Sequence, residues 1–108
     1  MMVFKGQLGE EELDRAEQEL RETLERMPPA FDMISDVSGA EKLSAPAVER
    51  IRRMGQLIVD AGLRTHVRVV GRSGQAALQF QRISRVVGYD SRLAYSLTEA
   101  EDLLDTSP

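Results

Sequence analysis

The sequence predicts a single α/β domain: about four mainly parallel strands alternating with four helices in a layered sandwich. Three observations predict it. Hydrophobic spacing switches repeatedly along the chain between a period of two and a period of 3.6. Short breaks containing Gly or Pro separate the segments, and each helical stretch is long enough to cross over between parallel neighbours. Finally, 108 residues with 42% hydrophobic and 30% charged side chains supply one core and one wet surface. No repeat, low-complexity tract or linker divides them, so residues 1–108 read as one domain.

The first strand is expected over residues 3–8, ended by Gly9. Residues 10–27 read as a helix, because Leu13, Ala16, Leu20, Leu24 and Met27 recur every three or four positions and form one apolar stripe. Its acids crowd the first turns and Arg21 and Arg26 come late, which suits the helix dipole. Pro28-Pro29 stops it, since proline excludes its predecessor from the helical region. Residues 30–37 form the second strand, broken by Ser38-Gly39. Residues 44–61 form the second helix, with Val48, Ile51, Met54, Leu57 and Ile58 turned inward. Ser44 is placed to cap it, Pro46 is tolerated in its first turn, and Gly62 closes it.

The β-branched run 65–70 is the third strand, ending at Gly71. A third helix covers 73–87 through Ala77, Phe80, Ile83, Val86 and Val87, closed by Gly88. Residues 93–97 are the fourth strand, and Thr98 with Glu101 forms a capping box for a short helix over 99–104. Residues 106–108 are expected to fray.

Composition narrows the function classes. The net charge of −4 argues against a nucleic-acid binder. Without cysteine there is no disulfide, thiol nucleophile or cysteine metal site, and a single histidine, His66, leaves no pair for zinc or iron. No apolar run approaches the roughly 18 residues of a membrane span, and the first residues hold no signal-like segment, so a cytoplasmic location without a cofactor is expected. The charge is split: residues 1–40 carry ten acids against four bases, 41–92 four against ten, and 93–108 four acids alone. Such complementary fields suit a partner surface or a homodimer, though two solvated helix faces of different sign would read the same.

In open parallel sheets, ligands and partners use the loops at the carboxyl ends of the strands. The loop over 36–44 holds Asp36, Ser38 and Ser44. The turn Gly71-Arg72-Ser73-Gly74 runs from a strand into a helix N-terminus, where free N–H groups and Arg72 would meet an anion. It lacks both the P-loop and the dinucleotide glycine pattern, so the anion signal is weak and plain turn chemistry with Ser73 as a cap accounts for it. His66 is expected at the start of its strand, at the opposite end from these loops, which leaves Ser38, Ser44 and Ser73 without a base. Asp32 and Asp36 share one face of a strand, a common pairing. No nucleophile, base and orienter assemble, so no enzyme is expected.

Four short motifs resemble the STAS domain (sulfate transporter and anti-sigma factor antagonist) in its small single-domain bacterial form. Phe4-Lys5-Gly6-Gln7-Leu8 looks like that family's early strand and turn, and Asp32-Met33-Ile34-Ser35-Asp36-Val37-Ser38-Gly39 is similar to its central strand ending in Asp-hydrophobic-Ser. Val67-Arg68-Val69-Val70-Gly71-Arg72-Ser73 resembles the third strand and its turn, and Tyr95-Ser96-Leu97-Thr98-Glu99-Ala100 the last strand entering a helix. The resemblance implies a STAS-like sandwich and a non-enzymatic signalling module whose partner is a kinase-like anti-sigma factor or a sensor protein. It implies phosphorylation at the start of the second helix, but the acceptor positions here are Ala45 and Pro46, leaving Ser44 as the nearby hydroxyl. A typical member also has a strand before the first one here, so an exposed sheet edge is expected, and dimerisation would cover it.

The leading expectation is therefore a partner-binding module using Asp36, Ser38, Ser44, Arg50 and Arg53, with Arg52 on the same basic face. Glu49 and Arg53 are spaced to pair at i,i+4, which would make that face a merely solvated one. The alternatives are a small-ligand or anion carrier using the 71–75 loop and a purely structural homodimer.

Overall fold

A computed structural model describes residues 2–71 and 74–105. Eight elements alternate in the expected order: β1 (Met2–Gly6), α1 (Glu10–Glu25), β2 (Phe31–Ala40), α2 (Ala45–Asp60), β3 (Leu63–Val69), α3 (Gly74–Val87), β4 (Ser91–Ala94) and α4 (Leu97–Asp105). The strands form one parallel sheet in the order β1-β2-β3-β4, so each lies beside its predecessor and all carboxyl ends share one edge. Among the described residues β1 and β4 are the sheet's edges.

Period-two alternation divides the core between the two faces of the sheet. Phe4, Phe31, Met33, Val37 and Val70 face one way and are covered by Leu13 and Leu20 of α1, Ile51, Met54 and Ile58 of α2, and Phe80 and Ile83 of α3. Val67, Val69 and Ala94 face the other way, under Ala100, Leu103 and Leu104 of α4. Three helices thus share one face and the last crosses to the other. Gly55 of α2 faces Val87 and the Tyr89 ring, which a Cβ there would meet at the ordinary contact distances of 3.4 and 3.5 Å.

The helix ends follow local chemistry. Ser44 Oγ accepts from the Ala47 N–H at 3.3 Å, as a cap should. Gly62 (φ +109°) and Gly88 (φ +104°) reverse the chain after α2 and α3 with backbone angles a side chain disfavours.

Several expectations need correction. The second strand does not break at Ser38-Gly39 but runs to Ala40, because Gly39 and Ala40 still pair with Lys5 and Gly6 of β1. The fourth strand lies at Ser91–Ala94, drawn back by its pairing of His66 with Ser91 and Val69 with Ala94. The following helix consequently begins earlier, and its box is Ser96 with Glu99: Ser96 Oγ accepts from the Glu99 N–H at 3.1 Å, and the Glu99 carboxylate from the Tyr95 N–H at 3.3 Å. Met27 falls beyond the end of α1 and is exposed, as is Val86 on the outer side of α3. His66 stands in the middle of β3 rather than at its start.

Candidate functional site

At the carboxyl edge of the sheet, the turn after β1 and the loop after β2 are tied to each other. The Glu41 N–H donates to the Gly6 carbonyl at 3.0 Å, where Gly6 takes a left-handed φ of +63°. From the other side, Gln79 of α3 clamps the β2–α2 loop. Its Oε1 accepts from the Leu43 N–H at 2.7 Å and its Nε2 donates to the Leu43 carbonyl at 3.0 Å. With Leu43 buried and held at both backbone groups, Ser44 is presented at a fixed, exposed position at the head of α2.

A groove of about 420 Å³ opens there, with Leu8, Glu10 and Leu13 on one wall and Ser44, Pro46, Arg50 and Arg53 on the other. A hollow of about 340 Å³ shares Leu8, Gly9 and Ser44 and extends it past Gln7 and Lys42. Two arginines enter the groove in different states. Arg50 reaches across to α1, donating to Asp14 at 2.6 Å and approaching Glu17 at 3.8 Å. The hydrogen bond to Asp14 holds the Arg50 guanidinium further toward its charged form, against the desolvation of its position. Arg53 is exposed and has no ion pair among the described residues. The expected Glu49–Arg53 pair does not form. Glu49 instead takes a two-pronged bond from Arg52 at i,i+3, which lowers its pKa and holds it as the carboxylate.

Ser44, Arg50 and Arg53 are therefore brought together, whereas Asp36 and Ser38 lie outside the groove. These two belong to β2 and are engaged with each other: Asp36 Oδ1 accepts from the Ser38 N–H at 3.0 Å and from its hydroxyl at 2.6 Å. Gly71 presses on this turn, since a Cβ at Gly71 would stand 2.7 Å from the Ser38 carbonyl oxygen. Gly74 is exposed at the start of α3, but Arg72 and Ser73 lie outside the described residues, as do 106–108. The 71–74 anion turn is therefore described only at its two ends.

A second constellation escaped the sequence reading. His66 is buried, with Nε2 at 2.8 Å from Ser35 Oγ, Nδ1 at 2.7 Å from Ser91 Oγ, and the Tyr89 ring edge-on at 5.3 Å. Burial first, and the neighbouring Arg68 charge second, push its pKa down to about 3. The imidazole is accordingly neutral and weakly basic, donating to one serine and accepting from the other. Arg68, grouped with the basic middle of the chain, is in fact only 1% exposed and lies beneath α3. The signal was present in the alternation: His66 and Arg68, continued by Val70 just past the strand's end, share one face of β3, opposite the buried Val67 and Val69. Elsewhere Asp32 takes a bidentate pair from Arg64 at 3.0 and 2.6 Å.

Among the described residues no group of three His, Asp or Glu side chains converges on a metal position, and no helix is long and apolar enough to cross a membrane. In comparisons with known proteins, no family model matches the chain, and no curated protein or solved structure matches it either.

Proposed function

We propose that this chain is a non-enzymatic protein-interaction module of the anti-sigma factor antagonist kind, which captures a partner protein at the carboxyl edge of its sheet. The observation that carries the reading is the groove at the head of α2, lined by an exposed Ser44 on the loop that Gln79 clamps and by an unpaired Arg53 further along α2. An unpaired, exposed arginine beside apolar Leu8 and Leu13 suits a partner segment that carries a carboxylate next to an apolar side chain. The partner class, a kinase-like anti-sigma factor or a sensor protein, comes from the STAS resemblance of the four motifs. Phosphorylation of Ser44 would add up to two negative charges at the mouth of the groove and repel a partner's carboxylate, turning the same surface off.

The test is capture of a nucleotide-binding partner from cell lysate by immobilised full-length protein, with and without Arg53→Glu and Ser44→Asp. Aspartate still caps a helix, so the second substitution changes charge and not folding. Both should lower capture about tenfold or more, the scale of one lost charge contact. Undiminished capture by both variants would refute this surface as the docking site.

A further inference from the structure

The guanidinium of Arg68 is out of contact with solvent and incompletely bonded. Nη2 donates to Ser84 Oγ at 2.6 Å, and that hydroxyl in turn donates to the Phe80 carbonyl at 2.9 Å. The Phe80 ring lies 5.7 Å from the guanidinium carbon. Nε and Nη1, equally buried, complete no hydrogen bond, although the Tyr89 hydroxyl stands close enough to favour the charged guanidinium. No carboxylate pairs with Arg68 among the described residues, and its neighbour His66 is neutral. An arginine charge left in such a place is strongly unfavourable unless something compensates it.

Arg68 lines a small cavity between the sheet, α2 and α3, together with Ser35, His66 and Tyr89. The polar groups there can all donate. Tyr89 has a hydroxyl proton, and Ser35 has one to spare when His66 carries its own proton on Nε2 and donates to Ser35. The volume is about 20 Å³, room for a single atom and too little for a phosphate or carboxylate. A water would satisfy the geometry but leave the charge.

We propose that this cavity binds one monatomic anion, a halide of the chloride class, held by Arg68 with the Tyr89 and Ser35 hydroxyls. The ion neutralises the buried guanidinium and ties β3 to α3. This site is independent of the groove at the head of α2.

The test is thermal unfolding of the full chain at fixed ionic strength while sodium chloride or bromide replaces sodium gluconate, which removes general screening from the comparison. A saturable rise in Tm of about 5 °C or more is expected once the halide exceeds its dissociation constant tenfold. Crystals soaked in bromide should show an anomalous peak beside Arg68. Arg68→Met should abolish the halide dependence, and Tyr89→Phe, a milder change, should shift the half-saturating concentration upward severalfold. Identical melting in gluconate and chloride with no bromide peak would overturn the proposal and place a water there. Halide dependence that survives Arg68→Met would overturn it equally.

Discussion

Acidifying the protein from pH 6.5 to 4.5 should destabilise it through His66. The imidazole titrates at about 3 in the folded chain, against 6.5 for an unhindered one. Below pH 6.5 the unfolded chain therefore takes up a proton that the folded chain refuses. The stability linked to His66 is fully present above pH 6.5 and is lost as the pH falls toward the folded value. The slope is about 1.4 kcal/mol per pH unit, or about 2–3 kcal/mol over the two units, a large part of the 5–15 kcal/mol typical of a small domain. Asp32 acts in the same direction but lower: its bond to Arg64 depresses its pKa below the ordinary 3.8, so its contribution persists throughout this window. Urea unfolding followed by circular dichroism at pH 7.5, 6.5, 5.5 and 4.5 would read the slope. Gluconate buffer is needed, because an anion beside Arg68 would offset part of the field on His66. His66→Gln, less stable at pH 7.5 for want of the imidazole's packing and its bonds to Ser35 and Ser91, should show a flat profile from 6.5 to 4.5. Equal slopes in the two proteins would refute the reasoning, because the proton uptake would then belong to another group.

Two further substitutions probe the loops that carry the groove and its neighbour. Gly71→Ala should cost about 1–3 kcal/mol, because its Cβ would stand 2.7 Å from the Ser38 carbonyl and the backbone on one side must yield. Chemical denaturation reads that loss, and chemical-shift changes at Ser38 would locate it. Gln79→Leu leaves both backbone groups of Leu43 without partners, a loss of about 1–3 kcal/mol, and amide exchange at Leu43 should accelerate well ahead of exchange in the β3 core.

The alternation of elements was legible in the sequence because it depends on near neighbours. Proline at 28 and 29, glycine at 62 and 88, and a serine at 44 mark helix ends through their own backbone and side-chain chemistry, and the structure ends its helices within three residues of those marks. Boundaries set by pairing were not legible. Gly39 belongs to a strand only because Lys5 lies beside it, and β4 starts at Ser91 only because His66 does. Helix-surface pairs fall between the two: i,i+3 and i,i+4 partners are both available to Glu49, and the side-chain geometry selects Arg52, which leaves Arg53 for the groove.

The sequence by itself determined that this chain would be an α/β domain with a capped second helix, because periodicity and capping are written within a few residues. Only the tertiary structure decided that three helices share one face while the fourth takes the other, and that Ser44 and Arg53 flank one groove. It also decided that His66 and Arg68 lie inside. A strand's alternation assigns a side chain to a face, but which face is covered depends on helices far away in sequence, and so does the identity of every buried partner.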